Sequence, residues 1–235
     1  VANSARGQRL HQLTHPGQMR AMTALLLLAP GTPMLFQGQE FGSTAPFLYF
    51  ADHNDALGQQ VAAGRREFLS QFPSLATPEA QRILTLADPR SHDTFTRCKL
   101  DFAERDRHAE VYALHRDLLA LRRNDPAFRQ QRWDRLHGAV LGPAAFMFRF
   151  IVEQGQDDRV LIVNLGRDLN LRAAPEPLLA PPVGGCWRTL WSSEDSRYGG
   201  GGTPPVECED QDEKDTWRIP GRAAVVLAAQ PVTTS

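Results

Sequence analysis

The chain has 235 residues, 42% hydrophobic and 23% charged, which suffices for one large domain or two ordinary ones and argues against whole-chain disorder. With 26 basic and 27 acidic side chains the formal net charge is −1, so there is no basic stripe for nucleic acid and no polybasic membrane anchor. The longest apolar run, Ala21 to Pro30, is far too short to span a bilayer.

Val1 to Leu13 is polar and reads as a loop. The N-terminus lacks an initiator Met, a charged n-region and an apolar h-region, so it does not read as a signal peptide but as sequence cut within a protein. Thr14 or His15 can cap a helix whose first turn suits Pro16. Met19, Met22, Leu25 and Leu26 recur at helical spacing, and Leu27 and Leu28 make its end apolar all round, which predicts a buried helix. Pro30-Gly31 ends it. A short buried strand, Met34 to Phe36, is expected next, opening into the Gly-flanked polar corner Gln37-Gly38-Gln39-Glu40-Phe41-Gly42. In α/β units the residues just past a strand's C-terminal end carry the chemistry.

An extended aromatic segment, Ser43 to His53, follows. Leu57, Val61 and Phe68 space a weaker helix interrupted by Gly58 and Gly64. Pro73 to Pro78 is a loop, Glu79 to Leu86 a short helix and Asp88-Pro89 a turn. Arg107 to Arg123 is the best amphipathic helix, with Val111, Leu114, Leu118 and Leu121 in one stripe and arginines at the end that its dipole favours. From about Arg135 the period changes to two. Strands are expected over Phe146 to Val152, Arg159 to Leu165, Trp187 to Trp191, Trp217 to Ile219 and Ala223 to Ala229. These make an all-β module of sandwich type, with a boundary near Phe128 to His137.

Cys98, Cys186 and Cys208 are odd in number and widely spaced, and read as free thiols in a reducing cytoplasm. The histidines show no metal spacing, and no G-x-S-x-G elbow occurs. Glu40 with Asp52, His53 and Asp55 could serve acid–base work on a glycoside; bracing of the corner by Glu40 and helix capping by the aspartates fit the spacing better. Gly199 to Gly202 lacks the lysine of a phosphate loop and reads as a flexible connection. Trp187, Trp191 and Trp217 could stack on sugar, but their period-two spacing favours core packing.

Four pieces of the chain resemble one subfamily of glycoside hydrolase family 13, the α-amylase family: the maltooligosyltrehalose trehalohydrolases. They are Asn3 to Leu10, Gly31 to Gly42, Pro46 to His53 followed by Gly64 to Phe68, and Thr94 to Asp101. The resemblance is dense from Val1 to about Phe128, and the β module fits the family's C-terminal sandwich.

The fold that the resemblance implies is α/β plus β: residues 1–130 as the C-terminal end of a (β/α)8 barrel, and residues 131–235 as an antiparallel β-sandwich domain. The family's nucleophilic aspartate, general-acid glutamate and third aspartate would fall upstream of Val1, so no catalytic residue is carried over. The parent enzyme would hydrolyse the α-1,4 bond between a maltooligosaccharide and a terminal trehalose with retention, a carboxylate chemistry without metal or organic cofactor. Asn3, Arg9, Gln39, Glu40 and Phe41 are expected to face the barrel mouth and contact the maltooligosaccharide-type substrate. Two alternatives stay open: a glucan-branching or debranching enzyme of the same family, and a non-catalytic glycan-binding β module.

Overall fold

The computed structural model describes residues 4–152, 157–171, 176–206 and 217–231. In chain order they form α1 (Leu10–Leu13), α2 (Pro16–Leu28), α3 (Asp55–Ser70), α4 (Pro78–Leu86), α5 (His92–Arg97), α6 (Glu104–Arg107), α7 (Ala109–Asn124) and α8 (Pro126–Arg129). The strands follow: β1 (Leu136–Gly142), β2 (Ala145–Phe150), β3 (Arg159–Asn164), β4 (Leu169–Leu171), β5 (Gly185–Ser192), β6 (Trp217–Ile219) and β7 (Ala223–Pro231). The chain divides into two compact units: Val1–Thr14 with Gln37–Arg107, and His15–Phe36 with His108–Ser235.

The second unit is built on a five-stranded antiparallel sheet in the order β1-β2-β3-β7-β5. Side chains alternate across a strand, so the apolar run of β3 must be covered on both faces. Leu161 and Val163 point to one side, with Phe146, Phe148 and Phe150 of β2 and Val226 of β7, where α2 and α7 cover them. Val160 and Ile162 point to the other, where Trp217 and Ile219 of the small β4–β6 sheet join Trp187 and Leu179 in a second core. Phe128 of α8 closes the first core edge-on against Phe150, ring centroids 4.8 Å apart.

Helix α2 starts as expected, with His15 Nδ1 accepting from the Gly17 N–H at 3.1 Å and Pro16 in the first turn. It is not buried all round: Ala21, Ala24, Leu27 and Leu28 face the core, while Met22 and Leu26 are exposed. Its C-terminal end is held by Arg122 of α7. One guanidinium nitrogen donates to the carbonyls of Leu27 (2.7 Å) and Ala29 (2.8 Å), and the other to that of Gly31. These serve carbonyls that a helix end leaves without intrahelical donors.

The expected buried strand Met34 to Phe36 is a correction. It joins no ladder among the described residues; Met34 is 87% exposed and Phe36 is also exposed, while Leu35 packs on the first core. A strand exists through hydrogen bonds to neighbouring strands, and the described residues place none beside this segment.

The first unit is helical and has a small core. Leu69 of α3 meets Leu75, Ala80 and Leu84, with Ala5 beside them. Asn54, Thr77 and Ser91 cap α3, α4 and α5 with side-chain oxygens. Asn54, not Asp52 or Asp55, caps α3: it offers an acceptor to the Leu57 N–H at 3.0 Å without adding a charge. No helix among the described residues is long and apolar enough to cross a membrane.

Candidate functional site

The polar corner is a single 3-10 turn, Gln39–Phe41, set between two left-handed glycines, Gly38 (φ 79°) and Gly42 (φ 60°). Two backbone bonds close it: the Gly42 N–H donates to the Gln39 carbonyl (3.1 Å) and the Ser43 N–H to that of Gly38 (2.8 Å). Only glycine takes this conformation without strain, and a Cβ on Gly38 would lie 2.9 Å from both Leu100 and Ser43. The corner is therefore fixed in shape by sequence.

Arg9 fastens both ends of it. Its Nε donates to the Ala45 carbonyl and its Nη1 to that of Gln37, each at 2.6 Å, and the side chain is only 4% exposed. Gln12 accepts from the Arg9 backbone N–H at 2.9 Å and so steadies the start of α1. Burial holds the guanidinium below the usual arginine range, and the negative charges of Glu104 and Glu40 work against that shift. Glu104 itself is buried and accepts from the Thr44 N–H (3.1 and 3.2 Å) and the Thr44 hydroxyl, gripping the outgoing strand of chain.

Phe41 lies beneath the turn, 0% exposed, its ring tilted against Phe102 at 5.9 Å. Gln39 and Glu40 are half-buried. The two backbone N–H groups that close the turn go to carbonyls, so Glu40 does not brace the corner by accepting them. Asn3 lies outside the described residues. Asp55 is the first residue of α3 and pairs with Arg90 at 3.6 Å.

The segment Pro46 to His53 is threaded through the same neighbourhood by backbone bonds. The Phe47 N–H donates to the Gly7 carbonyl (2.7 Å), Leu48 to the Cys98 sulfur (3.2 Å), and Ala51 to the Pro89 carbonyl (3.0 Å). Gly7 is left-handed (φ 64°), and a Cβ there would meet the Phe47 backbone at 2.8 Å. Gly7 and Arg9, the corner, residues 47–48 and Cys98 thus belong to one connected structure. The sequence singled out Arg9 as a substrate contact, whereas the structure buries it with two of its donors on backbone carbonyls of the corner; Glu104, which grips the chain just past it, was missed because it sits in a run of mixed charge, Asp101 to Arg107, that looks like any solvated face.

Three of the four tryptophans are core residues: Trp187 donates its indole N–H to the Leu179 carbonyl (2.7 Å) and Trp191 to the Tyr198 hydroxyl (3.1 Å), and Trp217 is buried as well, while Trp133 is exposed. Gly199 to Gly202 is not a slack loop. It folds back on Glu194, with the Gly202 N–H on the Glu194 carbonyl (2.7 Å) and the Gly201 N–H on the carboxylate (3.3 Å). A Cβ at Gly200 would lie 2.2 Å from the Glu194 backbone, which explains the glycine. Cys98 and Cys186 are free thiols, and Cys208 lies outside the described residues. Among the described residues no three His, Cys, Asp or Glu are gathered to hold a metal ion.

A family model described as a domain of unknown function, DUF3459, matches residues 133–226. The malto-oligosyltrehalose trehalohydrolase of Deinococcus radiodurans is 36% identical over 170 residues, covering 72% of this chain and 27% of that protein. The protein of the same name from Rhizobium sp. is 38% identical over 129 residues, 54% of this chain and 20% of that one. The chain thus spans about a quarter of the length of these curated relatives. The crystal structure of a provisionally assigned α-amylase from Salmonella typhimurium superposes on 98% of this chain and 33% of that one, with a TM-score of 0.67 at 23% identity, a likeness of fold. In sequence the chain is similar to malto-oligosyltrehalose trehalohydrolases over the part of their length that it spans.

Proposed function

We propose that this chain is the C-terminal portion of a glycoside hydrolase that cleaves the α-1,4-glucosidic bond next to the trehalose end of maltooligosyltrehalose and releases trehalose by a retaining two-carboxylate mechanism. The observation that supports it most is the corner. The pieces of sequence that carry the family resemblance are separated along the chain, yet Gly7, Arg9, Gln37 to Gly42, Phe47, Leu48 and Cys98 hold one another through the bonds described above. In this reading the catalytic carboxylates belong to a part of the enzyme outside this chain. Residues 1–130 end the barrel, and residues 131–235 form the β domain. The free thiols of Cys98 and Cys186 fit a reducing, cytoplasmic setting.

The corner's part is to orient sugar. Gln39 carries two N–H donors and an acceptor oxygen, and Glu40 accepts from hydroxyls, so the pair suits the fixed hydroxyl pattern of a pyranose. A turn locked by Gly38, Gly42 and Arg9 presents them without a large entropic cost on binding. Arg9 and Phe41 act from beneath, by setting the height and tilt of that turn. Asn3, six residues before Arg9 in the sequence, completes the proposed set.

The test is Gln39→Ala and Glu40→Gln in the whole enzyme, with product analysis. Each should lower kcat/KM by the equivalent of about 1–3 kcal/mol at unchanged melting temperature, with free trehalose as product. Wild-type kcat/KM in both variants would remove the corner from substrate contact. A branched glucan in place of trehalose would move the enzyme to the branching class.

A further inference from the structure

Between α5 and α6 the chain returns to the corner at every second residue. Cys98 accepts from the Leu48 N–H at 3.2 Å, and Leu100 lies where a Cβ on Gly38 would meet it at 2.9 Å. Phe102 packs its ring against that of Phe41, and Glu104 holds the Thr44 N–H and hydroxyl. All of these residues belong to the first unit.

Cys98 and Glu104 are buried and Leu100 is half-buried, but Phe102 is 59% exposed. A ring left open to water forgoes the stabilisation of burial. Its place is nevertheless set, by Leu100 and Glu104 on either side and by Phe41 with ring centroids 5.9 Å apart. Stacking on a ligand would therefore cost it little side-chain freedom. The other rings near the corner are engaged: Phe41 is fully buried, and Tyr49 carries Arg65 over its face. Arg105 lies beside Phe102, its guanidinium carbon 5.6 Å from the ring centroid and its Nε donating to the Phe102 carbonyl at 3.4 Å. It is exposed, and the described residues give it no carboxylate partner.

We propose that Phe102 is a specificity-determining contact: its ring stacks on one glucosyl unit of the maltooligosaccharide chain next to the turn, and Arg105 donates to the hydroxyls of that unit. The C–H bonds of a pyranose form an apolar face and its hydroxyls a polar rim, so a phenyl ring with a guanidinium beside it matches both. The inference rests on the reading of the turn as a sugar-orienting element. It adds to Gln39 and Glu40 the apolar contact that Phe41, beneath the turn, does not supply.

The experiment is calorimetric titration of the whole enzyme with maltotetraose, beside the kinetics of trehalose release from maltooligosyltrehalose. Phe102→Leu keeps an apolar side chain against Phe41 and removes the flat face. It should weaken maltotetraose by about five- to tenfold and raise KM by a like factor with kcat unchanged. Phe102→Trp should bind at least as tightly as wild type, and Arg105→Gln should weaken binding by about threefold. Both side chains are exposed, so the melting temperature should hold in all three variants. Unchanged affinity in Phe102→Leu, or a Trp variant as weak as the Leu variant, overturns the proposal, as does a wild type that does not bind maltotetraose. If maltotetraose binds through Phe102 but no trehalose is released, the hydrolytic reading fails and the stacking contact stands. If Phe102→Leu releases trehalose at wild-type KM, the contact fails and the hydrolytic reading stands.

Discussion

Replacing Arg122 should destabilise the sheet-bearing unit far more than a surface arginine would. The side chain is 7% exposed and donates to three carbonyls at the end of α2, those of Leu27, Ala29 and Gly31. Burial lowers its pKa, and no carboxylate contributes to that shift, so backbone dipoles hold its charge. Arg122→Met keeps the apolar stem and removes the donors. Each charge-assisted bond is worth about 1.5–3 kcal/mol, but the variant also sheds the cost of burying a cation, and water can reach some of the freed carbonyls. The net loss should be about 3 kcal/mol. Arg122→Lys should restore less than half of it, because one ammonium cannot serve three carbonyls spread over five residues. Urea unfolding of wild type and both variants gives the free energies. Hydrogen exchange at the Ala29 N–H, which bonds to the Leu25 carbonyl at 3.0 Å, reports locally on the frayed helix end. A loss below about 1 kcal/mol in Arg122→Met, or full recovery by Lys, would refute the reasoning.

Gly38→Ala should cost about 1–3 kcal/mol, since it forces a side chain into a left-handed residue 2.9 Å from Leu100 and Ser43, and a thermal melt reads this directly. In the whole enzyme the same change should lower kcat/KM even below the melting range, by tilting Gln39 and Glu40. Tyr198 titrates at about 12, pushed up by burial and by its hydrogen bond to the Asp117 carboxylate. The neutral phenol therefore contributes stability that is full below about pH 10 and lost as pH rises through 12. Tyr198→Phe should flatten that alkaline limb, as read by unfolding free energy against pH; a limb as steep as in wild type would assign it to other groups. The isolated chain should release no trehalose from maltooligosyltrehalose, because the proposed catalytic carboxylates are not in it. Trehalose above a buffer blank would return Glu40 or Asp52 to the chemistry.

The strands were legible where alternation or a continuous apolar run marks them. Phe146, Phe148 and Phe150 announce β2, and Val160 to Val163 announce a strand buried on both faces. β1 was missed because Leu136-His137-Gly138-Ala139 alternates poorly, as suits an edge strand paired only to β2. β4 is too short for a period to show. Arg122 and Arg123 look alike in sequence, two arginines favoured by a helix end, yet one of them reaches buried carbonyls contributed by residues 27–31. That partnership spans most of the first half of the chain, and no local pattern carries it. The corner was legible through its glycines. Its supports were not: the donors of Arg9 and the acceptors of Glu104 meet backbone atoms, which every residue has and no sequence distinguishes.

The helices over the phenylalanine face of the main sheet come from either side of a long excursion: the chain leaves α2, builds the first unit over 37–107, and returns as α7. A gene cut between α8 and β1, where the sequence rhythm changes, would therefore strip that face of its cover. Phe146, Phe148 and Phe150 would meet water as a contiguous stripe, and the fragment would self-associate through it. Fusing residues 15–36 and 108–231 through a flexible bridge would keep the stripe covered. Modularity in this protein follows the burial of one aromatic face more closely than it follows chain order.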